Sequence, residues 1–159
     1  MKVPGRTDAH LTYCLNVHPV ATLDDVRRTI ESRATHIFER VSDQRADVNP
    51  PYGLGLWLPR SAAAELDTPR SRADFRSWMA DRGFYAFTFN GFPYGRFHGT
   101  RVKQDVYRPD WSDLRRLDYT RELADILCDL LPEGTDGSIS TLPVTYREWA
   151  NEMVLAAAA

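Results

Sequence analysis

Cysteine is scarce in this chain. Only Cys14 and Cys128 occur among 159 residues, far apart and in no paired motif. That excludes a disulfide scaffold and a cysteine-based zinc finger, and leaves two reduced thiols expected to be buried in a cytoplasmic protein. Long apolar runs are lacking too. Nothing approaches the roughly 20 residues that cross a bilayer. The start, MKVPGRTDAHLTY, has no apolar stretch of leader length, and the ending MVLAAAA is too short to span. Neither sign of charge dominates: the formal net charge is −2, so general nucleic-acid binding lacks its electrostatic support. Three motifs are missing: the phosphate-cradling GxxxxGK(S/T), the dinucleotide GxGxxG and the nucleophile-elbow GxSxG.

What is present is an alternation of strand and helix patterns, four times over. Leu11 to Val17 reads as a short strand. Thr22 stands as an N-cap with Asp24 and Asp25 in the first turn, and Val26, Ile30, Ile37, Phe38 and Val41 predict an amphipathic helix over 23–40. The stretch VSDQRADVNPP is a loop. Gly53 to Leu58 is a second strand candidate, followed by an alanine-rich turn at 61–66. Ser71 with Asp74 predicts a capped helix carrying Phe75, Trp78 and Met79, with Gly83 past its end. Phe84 to Phe89 is the strongest strand, patterned like a parallel strand covered on both faces. A helix is expected over 114–131, ended by Pro132 and Gly134. A strand at 138–142 and a last helix over 146–158 follow. Strand–helix alternation implies an α/β protein with a parallel sheet. Two architectures fit: a small doubly wound sheet, or part of a (β/α)8 barrel, for which about 250 residues is typical.

Both architectures bind ligands at the C-terminal ends of the strands. Strand 1 leads into Asn16 and His18. Strand 2 leads into Pro59 and Arg60. Strand 3 leads into Asn90 and a loop of 22 residues bearing Tyr94, Arg96, His98, Arg101, Lys103 and Asp105, and strand 4 leads into Ser140 and Thr141. So Asn16, His18, Asn90 and His98 are expected on one rim. A loop that long is usually functional or disordered. Residues 84–111 hold nine of the 18 aromatics, which argues for order, because disordered segments are aromatic-poor. Phe92, Tyr94 and Phe97 are expected to pack it down over the sheet end, whether it serves a ligand or only caps the core. Its basic excess favours an anionic or polyhydroxyl ligand; a plain solvated face is the alternative. His18 and His98 alone do not make a metal site, since no carboxylate stands at the end of strand 1, 2 or 4. His10 and His36 show no partner, and Cys14 has no base beside it to make it a nucleophile.

Three stretches, YCLNVHP at 13–19, NGFPYGRFHGTRVKQDVYRPDW at 90–111 and GSISTLP at 137–143, resemble the metabolite traffic protein family EboE. The resemblance covers residues 10 to 145 and the N-terminal part of a family member. It implies a xylose-isomerase-like TIM barrel, here its N-terminal half, in a chain expected to be a single partial domain cut short; chain order and right-handed crossovers predict strand order 1-2-3-4. It also implies a place in moving small secondary metabolites. Asn16, His18, Asn90, Tyr94, His98, Arg101 and Lys103 are the motif positions it marks as ligand-binding candidates. Val20-Ala21 departs from the glycine and acid of the family pattern. No cofactor is expected within this chain, although a divalent metal held by later strands is implied for a full-length protein.

Three functions follow as expectations. The first is a cytoplasmic metabolite traffic protein that binds or processes a small polar metabolite, alongside other proteins of its cluster. The second is a metal-dependent sugar isomerase or epimerase whose metal ligands lie in a missing C-terminal half. The third is a non-catalytic interaction protein that docks through the 90–111 loop.

Overall fold

The structure is a computed structural model, and it describes residues 9–10, 12–44, 51–95 and 104–159. The chain runs β1 (Thr12–Cys14), α1 (Leu23–Thr29), α2 (Thr35–Gln44), β2 (Tyr52–Leu56), α3 (Arg60–Ala63), α4 (Pro69–Ala80), β3 (Phe84–Asn90), α5 (Leu114–Leu130), β4 (Ser138–Ser140) and α6 (Glu152–Ala157). The four strands form one sheet in the order β1-β2-β3-β4, and every pairing is parallel. Each crossover steps to the next position in the same direction. With right-handed crossovers this puts the helices on a single face.

Side-chain burial follows that arrangement. Leu54, Leu56, Ala86 and Phe89 are shut off from solvent in one core with Val26 and Ile30 of the first helical stretch, Phe75 and Met79 of α4, and Leu123, Ile126 and Leu127 of α5. Each of these Val, Leu, Ile, Phe and Met side chains contributes roughly 1.5–3 kcal/mol by leaving water, and the Ala86 methyl adds less. The opposite face carries Cys14, Gly53, Gly55, Tyr85, Phe87 and Thr88, and no helix packs on it among the described residues. Among the described residues β3 is therefore covered by helices on one face and not on both. The register slips between Leu54 and Gly55, which pair with Ala86 and Thr88. Phe87 is the extra residue of this bulge, and its ring lies over Gly53 on the open face. Aromatic side chains dressing their own open face produced the continuous apolar pattern.

The helix boundaries show how local chemistry sets the elements. Thr22 caps α1 with a reciprocal pair: its hydroxyl accepts from the Asp25 amide, and the Asp25 carboxylate accepts from the Thr22 amide. The helix expected over 23–40 runs on to residue 44, with a π turn at Ile30–Ala34 between α1 and α2. α4 starts earlier than the Ser71–Asp74 pair indicates. Thr68 is its N-cap, Ser71 is the third residue of the helix and returns the bond, and Pro69 fits the first turn, where no amide partner is needed. Asp113 caps α5. The final stretch splits into a 3-10 turn at Arg147–Trp149 and the short α6. Both cysteines are exposed, contrary to the expected burial. Cys14 sits on the open sheet face against Gly55. Cys128 lies off the buried stripe of α5 formed by Tyr119, Leu123, Ile126, Leu127 and Leu130. Among the described residues, no helix is long and apolar enough to cross a membrane.

Candidate functional site

The C-terminal ends of the strands bring several polar groups to one end of the sheet. β1 runs directly into a 3-10 turn at Leu15–Val17 that contains Asn16, and His18 closes it, its amide donating to the Leu15 carbonyl at 3.0 Å. The His18 Nε2 shares a 2.6 Å hydrogen bond with the Tyr13 hydroxyl. Tyr13 thereby fixes one nitrogen of the imidazole, and the two rings lie 5.9 Å apart. Asn90 is the last residue of β3. Its Oδ1 accepts from the Phe92 amide at 3.2 Å and from the Ser140 hydroxyl at 3.1 Å. One side chain thus ties the turn after β3 to the end of β4. A second tie lies one step down the sheet, where the Thr88 and Ser138 hydroxyls meet at 2.8 Å. The described rim is rich in amide, hydroxyl and imidazole groups, and side-chain bonds tie its β3 and β4 ends together.

Beneath the rim lies a buried polar layer on α5. Arg116 is fully buried. It donates from Nε to the Pro109 carbonyl at 2.8 Å, from Nη1 to Gly91 at 2.8 Å and from Nη2 to Phe92 at 3.1 Å. Burial pushes its pKa down, while the phenols of Tyr119 and Tyr94 and the carboxylate of Asp110 oppose that shift. The Tyr119 hydroxyl donates to the Leu58 carbonyl at 2.6 Å and lies 3.3 Å from that of Pro93, and burial pushes its phenol well up. The Trp57 indole donates to the same Pro93 carbonyl at 3.0 Å. These three side chains tie the turns after β2 and β3 to each other and to α5.

Tyr94 belongs to this layer. It is half-buried, its ring meets Tyr119 edge-on with centroids 5.1 Å apart, and its carbonyl accepts from the Arg60 amide at 2.8 Å. Phe92 is also half-buried, edge-on to Tyr107 at 5.1 Å. Beyond it, the Trp111 indole donates to the Leu142 carbonyl at 3.2 Å, and the Thr145 hydroxyl donates to Asp110 at 2.5 Å. Burial pushes the Asp110 pKa up, but the bonds from Ser112 and Thr145 outweigh it and hold the carboxyl below its ordinary value.

Of the seven sequence candidates, Asn90 ends β3, Asn16 and His18 stand in the turn directly after β1, and Tyr94 sits against Tyr119 of α5. His98, Arg101 and Lys103, together with Arg96 and Phe97, lie outside the described residues. His10 does have partners: its Nδ1 is 2.7 Å from the Tyr85 hydroxyl and its ring stacks on Phe87 at 4.4 Å. It lies at the far end of the sheet, beside a cleft of about 430 Å³ lined by Phe87 and residues 134–138. Sequence reading placed Ser140 at the end of strand 4 but missed Tyr13, Trp57, Arg116 and Tyr119. A sign was available for Arg116, which falls on the helical stripe it shares with Tyr119, Leu123, Leu127 and Leu130.

The described rim residues do not fit a divalent metal. They offer one imidazole, His18, and no carboxylate, and among the described residues no group of three His, Cys, Asp or Glu side chains converges. Compared with known proteins, the chain matches no family model, no curated protein and no solved structure.

Proposed function

We propose that this chain contributes four consecutive β/α units of a (β/α)8 barrel of the EboE type, and that it binds a small polar metabolite at the C-terminal rim of its strands in the cytoplasm. The observation that carries this reading is the bridge made by Asn90, which accepts from Phe92 and Ser140 and so gathers the ends of β3 and β4 beside the open sheet face. Strand order supports it as well. A sheet that advances 1-2-3-4 with its helices to one side is what a barrel wall requires, and the face left open carries Cys14, Thr88 and Ser138 beside the aromatic Tyr85 and Phe87. The uncharged rim groups suit a ligand rich in hydroxyl, carbonyl or amide functions.

Equilibrium dialysis of the purified chain against a small-molecule extract, read by mass spectrometry, tests the reading. A polar compound enriched by the wild-type chain, and at least tenfold less by Asn90→Ala and by His18→Ala, is the expected result. No enrichment, or enrichment that both variants retain in full, contradicts it.

A further inference from the structure

We propose that Arg116 is the positioning residue of this rim, a single buried side chain that holds together the two ends of the segment leaving β3 and entering α5. Gly91 and Phe92 stand at the start of that segment and Pro109 near its end, and all three present their carbonyls to the one guanidinium. Only arginine can do this. Its donors are fixed in a planar fork, so one side chain satisfies three acceptors at set angles, whereas the lysine ammonium is a point charge on a flexible stem. The three acceptors belong to backbone that forms no strand ladder at these positions. Without the guanidinium the Gly91 and Pro109 carbonyls would be buried in want of a donor, and the half-buried Phe92 carbonyl would lose its partner.

The consequence reaches the rim residues directly. Asn90 precedes the clamped Gly91–Phe92 pair, and its Oδ1 accepts from the Phe92 amide, so the pose of Phe92 sets that of Asn90. The guanidinium lies 5.9 Å from the Tyr94 ring centre and 5.5 Å from that of Tyr119, which holds Tyr94 between loop and helix. At the far end, the Trp111 amide donates to the Val144 carbonyl at 3.1 Å, so the clamp at Pro109 is continued onto the turn after β4. Closing a chain segment costs entropy that its own contacts must offset. Here a residue on a neighbouring rigid helix supplies those contacts.

The inference rests on the proposed binding site only for what the positioned residues touch. Its test uses no ligand, so its failure and the failure of metabolite binding are separately visible. Hydrogen exchange followed by mass spectrometry is measured on the full chain for wild type, Arg116→Lys, Arg116→Met and Arg116→Ala. The expected result is exchange at least tenfold faster in peptides covering 91–95 and 104–111 for Arg116→Met, a smaller acceleration for Arg116→Lys, and unchanged rates in 84–90 and 118–130. Millimolar guanidinium, too dilute to denature, should restore slow exchange in Arg116→Ala. Equal acceleration across the sheet and α5, or no acceleration anywhere, overturns the proposal. So does an Arg116→Lys chain that loses its fold, because Arg116 would then hold the core and not the rim.

Discussion

Asp25 has two tasks at the start of α1: its carboxylate accepts from the Ala21 and Thr22 amides and also binds Arg28. The Arg28 bond first, then the Ala21 amide, hold its pKa at about 2, below the ordinary 3.8. A depressed carboxylate stabilises the fold fully above its ordinary pKa, and that stability is lost as pH falls through the lower one. Asp25→Ala removes the reciprocal half of the Thr22 capping box and should therefore cost roughly 0.5–1 kcal/mol near pH 6, toward the low end of cap losses. The difference from wild type should shrink between pH 4 and pH 2. Denaturant melts at several pH values measure it, and a gap that stays constant with pH would contradict the assignment. Tyr119→Phe removes a buried donor and strands the Leu58 carbonyl, so it should cost roughly 1–3 kcal/mol in the same melts; an unchanged midpoint would show that the hydroxyl contributes nothing. Residues at strand ends, such as Asn16, His18 and Asn90, were legible in the sequence because parallel sheets present ligands there. Arg116 and Tyr119 were not, because arginine in a helix ordinarily reads as a solvated side chain, and only its place on the apolar stripe argued otherwise.

At the scale of elements, β3 and β4 meet closely just past the end of β3. The Gly91 amide donates to the Ser140 carbonyl at 2.9 Å, and a β-carbon on Gly91 would stand 2.8 Å from that same oxygen. Backbone cannot step aside as a flexible side chain can. Gly91→Ala should therefore destabilise by about 1–3 kcal/mol, while Gly95→Ala, with nothing within 4 Å of the added carbon, should be close to neutral. Thermal melts of the two variants compare them directly, and equal shifts would count against the packing described. Periodicity and caps located the main helices to within a few residues. The misplaced start of α4 arose because two capping pairs compete there, Thr68 with Ser71 and Ser71 with Asp74. Pro69 is suited to the first turn and decides for the earlier one. The π turn between α1 and α2 left no sequence mark that periodicity could detect, since Ile30 and Ala34 remain on the buried side throughout it.

Among the described residues the molecule is a one-sided sheet: helices and core on one face, a mixed polar and aromatic surface on the other, and polar groups collected at the C-terminal ends of its strands. Alternation of strands and helices made the parallel sheet legible from the sequence. One-sidedness was harder to see, because Tyr85 and Phe87 give β3 an apolar pattern although they face away from the core. Cys14 gives direct access to the proposed binding end. It is the last residue of β1, exposed and packed against Gly55, while the second exposed thiol, Cys128, lies on α5. The most direct test is the rate at which iodoacetamide labels each thiol, with and without a thiol-free small-molecule extract. Binding at the rim predicts labelling of Cys14 slowed several-fold and labelling of Cys128 unchanged. A Cys14 labelling rate that the extract leaves unchanged would contradict it.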